Sequence, residues 1–334
     1  MLRFENKKYY PALDGLRAYS AIAVILFHAD MPCIGPGWLG VNFFFVLSGF
    51  LITSILLQSK EAVNYFSVFY SRRFLRIFPV YYLLLFTAII LAIILGRNIK
   101  DAWYYLFYIQ NFKLALNNWH ISFPLWLGNT WTLAIEEQFY IFFPFLVKYL
   151  SKKALVICCF MLILISIINR YVFYKYIGWG NTLSNLDYLS AGALLSIFLR
   201  NGIKPDLIFR YLCISFSAMT LIFFFISKNF YLSFLVTCLL PFITIVILIL
   251  VTYKHKLLAY LFENRLVLYI GKISYGIYLY HIPFFMLINR NSKSWPISLI
   301  IIVKIAGTII IAALSFRFFE SRFIKMKNKF ILKY

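Results

Sequence analysis

Ten runs of apolar residues divide this chain, near 12–31, 38–57, 75–95, 131–149, 154–174, 186–199, 208–227, 231–252, 273–290 and 296–318. A bilayer crossing takes roughly 20 residues of helix, and most of the runs have that length. The run at 186–199 is short for a full crossing. The segment 102–116 is aromatic but shorter still, and reads as an interfacial or re-entrant piece. Hydrophobic residues make up 63% of the 334. Soluble domains are about half apolar, so a polytopic membrane protein is the reading that accommodates this surface. The expected fold is therefore all-α and polytopic, with about ten transmembrane helices in one domain over 1–334.

Charge gives the orientation. The formal charge of +22 raises nucleic acid as a partner. The cations lie between the apolar runs and form no single stripe, so no nucleic-acid role is expected. With the N-terminus in the cytoplasm and the runs alternating, 23 of the 33 Lys and Arg fall on the inner side and 8 on the outer, Arg170 among the latter. That excess satisfies the positive-inside rule. Both termini are expected in the cytoplasm, as short tails at about 1–10 and 319–334. The outer side holds one long region, about 96–130, rich in Tyr, Trp and Asn and carrying His120. No cleavable signal peptide is expected, because polar residues precede the first run and lie within it. Cys158, Cys159, Cys213 and Cys238 fall inside apolar runs and Cys33 stands alone in a Gly/Pro loop, so neither a disulfide framework nor a metal site is expected.

The first run carries Asp14 and Arg17 near its start and His28 near its end. Arg17 and His28 are 11 residues apart, which places them on one helix face about 16 Å apart in depth. Ionisable groups inside a spanning helix are costly and face a protein interior or a wet cavity. The glycines of the second run, in Gly40-Val41-Asn42-Phe43-Phe44-Phe45-Val46-Leu47-Ser48-Gly49, permit tight packing against the first helix. Next comes a cytoplasmic loop ending Ser71-Arg72-Arg73-Phe74-Leu75-Arg76-Ile77-Phe78-Pro79. Arg73 and Arg76 are neighbours on one helix face. Arginines without lysine suit forked phosphate binding, although a cluster holding a helix end at anionic lipid has the same composition. Trp131-Thr132-Leu133-Ala134-Ile135-Glu136-Glu137 opens the fourth run, with the two carboxylates about 100° apart. One of them is expected to face a cavity and the other the interface, and simple helix-start stabilisation is the plainer alternative. His281 is a second histidine within an apolar run. Lys304 and Asp187 are weaker candidates, and His120 and His255 read as loop residues.

Together these stretches resemble the acyltransferase-3 family of integral membrane O-acyltransferases. The matching motifs are Leu-Asp-Gly-Leu-Arg-Ala…His at 13–28, the Gly-Val-Asn-Phe-Phe-Phe-Val-Leu-Ser-Gly-Phe-Leu-Ile at 40–52 and Arg-Arg-Phe-Leu-Arg-Ile-Phe-Pro at 72–79. Trp-Thr-Leu-x-x-Glu-x-x-Phe-Tyr at 131–140 and Ser-Tyr-x-x-Tyr-Leu-x-His at 274–281 complete the set, in the family's order. Thr132 stands where the family sometimes has Ser. The resemblance implies transfer of an acyl group, usually acetyl, from cytoplasmic acetyl-CoA to a sugar hydroxyl of a surface glycan. It is greatest to compact acetylases of bacterial O-antigen and other lipid-linked glycans, some of them phage-encoded. The expected acceptor is thus the O-antigen unit of lipopolysaccharide and the expected location the bacterial inner membrane. The soluble hydrolase-like domain that some members append is not expected here.

The resemblance also assigns residues. His28 matches the family's essential histidine, Arg17 and the pair Arg73 and Arg76 its arginines, and Glu136 rather than Glu137 its motif glutamate. His28, Glu136 and His281 are the catalytic candidates; Arg17, Arg73 and Arg76 are the candidates for acetyl-CoA phosphates, with no metal. A cationic inner mouth would attract those phosphates, and the thin pantetheine arm could thread between helices. A histidine titrating near 6.5 could act as general base on a sugar hydroxyl presented from outside. Direct transfer and an acyl-enzyme both remain open, as do acceptor binding on the cytoplasmic side, another acyl group such as succinyl, and transport of a lipid-linked sugar.

Overall fold

A computed structural model describes residues 9–31, 35–117, 123, 125–172, 180–223, 231–292 and 294–334, and every regular element among them is helical. His120 and Cys33 lie outside the described residues. Among the described residues, each of the ten apolar runs falls largely on a helix. They are α1 (Pro11–His28), α2 (Leu39–Ser59), α3 (Tyr65–Ile94), then short α4 (Ala102–Leu106) and α5 (Gln110–Leu116), α6 (Trp131–Tyr149), α7 (Lys152–Val172) and α8 (Leu186–Arg200). There follow α9 (Pro205–Phe223), α10 (Tyr231–Thr252), short α11 (Lys256–Phe262), α12 (Arg265–Asn291), α13 (Ile297–Ser315) and short α14 (Ser321–Met326). Among the described residues four helical stretches are long and apolar enough to cross a membrane: Gly35–Ser59, Tyr65–Ile94, Lys152–Val172 and Ile297–Lys329. Part of α10 makes a fifth if it is joined to α11 across a 110° bend.

Local chemistry explains where α1 begins and ends. Pro11 occupies the first turn, where its missing N–H costs nothing. Just past the helix, Asp30 takes a left-handed backbone with φ 57°, a conformation Asp tolerates better than bulky residues. His28 is consequently the last residue of the helix.

Helix α8 is buried along almost its whole length and packs between α2, α7 and α10. Its shortness fits a core element enclosed by protein. Two glycines allow the approach. A Cβ added at Gly49 of α2 would lie 1.9 Å from the Leu189 carbonyl oxygen, and one at Gly192 of α8 would lie 2.0 Å from that of Val46. Helices that close exchange van der Waals contact along their backbones, as small residues permit in apolar surroundings. The second run's glycines therefore serve two neighbours: Gly40 meets Ser20 of α1, while Gly49 meets α8.

An ion pair fastens α7 to α8. Arg170 Nη2 donates to Asp187 Oδ2 at 2.5 Å, with Ser166, Thr237 and the Ser184 carbonyl filling the remaining valences. Arg170 is 5% exposed and Asp187 fully buried. This corrects the charge map, which counted Arg170 among outer loop cations. Asp187 is thereby a packing residue.

The structure also revises two loops. The arginine segment before residue 75 is not a loop, because α3 starts at Tyr65 and carries Arg72, Arg73 and Arg76 in its first half. The described part of the 96–130 region packs against α3 and α6. Tyr81 and Tyr82 donate to the carbonyls of Tyr105 and Leu106, both at 2.8 Å. Gln110, itself fully buried, donates to the Thr130 carbonyl at 3.0 Å. The bundle's outside remains strongly apolar, as with Ile94, Phe142 and Ile302, the surface a bilayer would cover.

Candidate active site

Two cavities open side by side in the half of the bundle formed by α1, α2, α3, α6 and α12. The first encloses about 730 Å³ of empty space, mouth included. Arg17 of α1, Arg73 and Arg76 of α3 and Glu136 of α6 all line it. The second, of about 910 Å³ on the same measure, is lined by His28 of α1 with Trp38, Asn42, Asn129, Trp131 and Asn185. Val41 and Tyr278 border both. The 11-residue spacing along an unbroken α1 thus delivers Arg17 to one cavity and His28 to the other.

In the first cavity Arg17 pairs with Asp14 at 3.3 Å. The Arg73 guanidinium carbon lies over the Tyr140 ring, 5.0 Å from its centre, a cation–π contact that holds the side chain at the cavity wall. Glu136 accepts a hydrogen bond from Ser48. Glu137, expected to reach the interface, is instead buried at 6% exposure with Oε1 unpartnered among the described residues. The two carboxylates diverge as helical geometry requires, but both point inward.

Hydrogen bonding sets the histidine tautomers. His28 Nδ1 lies 2.9 Å from the Val24 carbonyl. A carbonyl can only accept, so Nδ1 of the neutral ring carries the proton and Nε2 the lone pair. His281 repeats the arrangement, with Nδ1 donating to the Tyr278 carbonyl at 2.6 Å. Its Nε2 is buried with no hydrogen-bond partner among the described residues. The two rings lie 5.0 Å apart between centroids. His281 is fully buried behind His28 and borders neither cavity.

Tyr278 holds the boundary between the cavities. Its hydroxyl donates to the Asn129 carbonyl at 2.8 Å and stands 2.7 Å from Thr132 Oγ1, and Asn129 Nδ2 donates back to the Tyr278 carbonyl at 2.6 Å.

Sequence reasoning singled out neither Tyr278 nor Ser48 and Asn129. Tyr278 and Ser48 lay within quoted motifs, but nothing local marked them as cavity residues. Among the described residues, Asn129 at the edge of the 96–130 region and Trp131 just beyond it reach the His28 cavity, whereas Tyr105, Gln110 and Asn111 are buried packing residues. His255 caps α11 by accepting from the Leu257 N–H at 3.2 Å. Lys304 is buried with its ammonium 5.3 Å from the Phe285 ring and borders neither cavity.

The bundle thus sets a cationic cavity beside an imidazole-bearing one, with Val41 and Tyr278 in common. Residues 10–317 match a family model described as an acyltransferase domain, and the chain belongs to this acyltransferase-3 family. It is 33% identical over 98% of its length to the peptidoglycan O-acetyltransferase OatA of Listeria monocytogenes, of which it covers 57%. It is 31% identical over 95% of its length to the putative peptidoglycan O-acetyltransferase YrhL of Bacillus subtilis, covering 55%. The O-acetyltransferase OatA of Staphylococcus aureus is 29% identical over 95% of this chain, with 57% covered. The chain thus spans a little over half the length of these relatives. No solved structure matches it.

Proposed function

We propose that the chain is a membrane O-acyltransferase that moves an acyl group, acetyl in the first instance, from cytoplasmic acyl-CoA to a hydroxyl of a bacterial surface glycan. The observation that carries this reading is the pair of adjoining cavities, three arginines in one and His28 in the other, bordered in common by Val41 and Tyr278. Arg17, Arg73 and Arg76 take the donor's phosphates, for which a forked guanidinium is better suited than a point charge. The pantetheine arm passes Tyr278 and brings the thioester carbonyl toward His28. His28 Nε2 takes the proton of the sugar hydroxyl as its oxygen attacks that carbonyl. The carbon–sulfur bond breaks, and the departing thiolate takes the proton from the imidazolium. Glu136 orients the arginines, and His281 backs His28. In this reading the ten long helices all cross or line the inner membrane, both termini are cytoplasmic, and the glycan meets His28 from outside.

The names of the relatives favour peptidoglycan as acceptor over the O-antigen unit expected from the motifs. Mass spectrometry of both glycans, from cells with and without the chain, tests this reading. The expected result is one added acetyl per modified sugar, dependent on the chain. An unchanged mass profile in both glycans, with full-length protein present in the membrane and no acetyl-CoA turnover by the purified protein, would overturn it.

A further inference from the structure

The segment after α13 does more than anchor the chain. A π-helical turn at Phe316–Glu320 leads into α14 and a 3₁₀ turn at Lys327–Lys329, and these elements pack against α3, the helix of the arginines. The last residues lie strapped along the start of α3. Arg72 donates from Nε and Nη2 to the Phe330 carbonyl at 3.0 and 2.6 Å. Asn64 donates to the Ile331 carbonyl at 2.8 Å and accepts from the Lys333 N–H at 2.9 Å. Arg72 is thus engaged in holding the strap and does not line the donor cavity, unlike Arg73 and Arg76.

The strap sets one lysine, Lys327, in the 3₁₀ turn that packs against α3, the helix of Arg73 and Arg76. The Phe330 N–H donates to the Lys327 carbonyl at 3.1 Å, so Lys327 stands one turn from the point where Arg72 grips the chain. Arg322, Lys325, Lys329 and Lys333 are exposed to solvent, whereas Lys327 is half-buried. It lies within electrostatic range of Arg76, Arg73, Arg72 and Arg17. The carboxylates nearby are Asp14, paired with Arg17; Glu136, hydrogen-bonded by Ser48; Glu137, buried and facing Arg73; and Glu320, which accepts from Ser315 at 3.0 Å and faces Arg76. Five cations face four carboxylates, and none of the four pairs with Lys327 among the described residues. A like-charged, half-buried wall of this kind is costly until a polyanion neutralises it.

We propose that Lys327 is a further phosphate-binding residue of the donor site, brought there by the strapped C-terminal segment, and that the phosphate it takes is that of the acyl-CoA nucleotide. This rests on the acyl-CoA reading above. The shared chemistry is phosphate, which anionic lipid headgroups also offer, so the test uses the full chain in nanodiscs of phosphatidylcholine alone and of phosphatidylcholine with phosphatidylglycerol. Acetyl-CoA binding is measured by titration calorimetry over a range of salt for the wild type, Lys327→Gln, Lys327→Arg and the exposed control Lys325→Gln. In phosphatidylcholine alone, Lys327→Gln should weaken binding roughly 10-fold and flatten its salt dependence, while Lys327→Arg and Lys325→Gln stay within about threefold of wild type. Equal binding by Lys327→Gln and wild type overturns the proposal. So does an effect that appears only with phosphatidylglycerol, which would assign the lysine to lipid. Absence of acetyl-CoA binding in the wild type overturns the donor reading itself, independently of Lys327.

Discussion

The imidazoles of His28 and His281 lie 5.0 Å apart, one ending α1 and the other in the middle of α12, and each gives its Nδ1 proton to a backbone carbonyl of its own helix. Both Nε2 atoms are therefore lone pairs, one beside a cavity and the other sealed behind it. His28→Ala should abolish acyl transfer, a loss of roughly 10²–10⁴-fold for a general base, with the protein still monodisperse. His281→Phe keeps the ring volume but removes the second lone pair, and should cost activity less than His28→Ala does. Transfer assays on both variants, normalised to folded protein, check the order. Equal activity of His28→Ala and wild type would remove His28 from the chemistry.

Arg73 offers a sharper test of phosphate recognition. Its guanidinium lies over the Tyr140 ring at the cavity wall. Lysine preserves the charge and loses both the stacking and the paired donors. Arg73→Lys should raise the KM for acetyl-CoA roughly 10-fold. An unchanged KM would instead mark the arginine as an anchor at the membrane surface.

The contact of α2 with α8 predicts a stability effect remote from the chemistry. Gly192→Ala places a methyl about 2.0 Å from the Val46 carbonyl oxygen, a backbone atom that cannot swing aside. Overpacking of this kind costs about 1–3 kcal/mol, so the variant should unfold at lower temperature in detergent. Gly35→Ala meets nothing within 4 Å and should melt as wild type does. Thermal melts of the pair compare the two directly.

Arg170 and Asp187 should behave as a unit. Arg170→Ala leaves a fully buried carboxylate uncompensated, a change that costs about 3–5 kcal/mol when a buried pair is broken. Adding Asp187→Leu should restore much of that loss, because it removes the stranded charge. A double variant no more stable than Arg170→Ala would place the stabilisation in the surrounding hydroxyls.

Helix positions were legible in the sequence because hydropathy and helical period are local properties. The run at 131–149 and α6 coincide residue for residue, as do 231–252 and α10. The 11-residue spacing of Arg17 and His28 was enough to put both on one face of α1. Which face met which neighbour was not legible. That depended on backbone approaches such as Gly49 to Leu189, between residues 140 positions apart, for which no local pattern exists. The same long-range packing turned Arg170 from a loop cation into half of a buried pair. It also drew Glu137 inward and folded the tyrosines near 105 into the bundle. Tyr278 became the partition between two cavities only because α12 lies against the turn before α6. A sequence names the groups that can carry charge into an apolar interior; only tertiary structure decides which are neutralised by a partner and which are left facing an empty space.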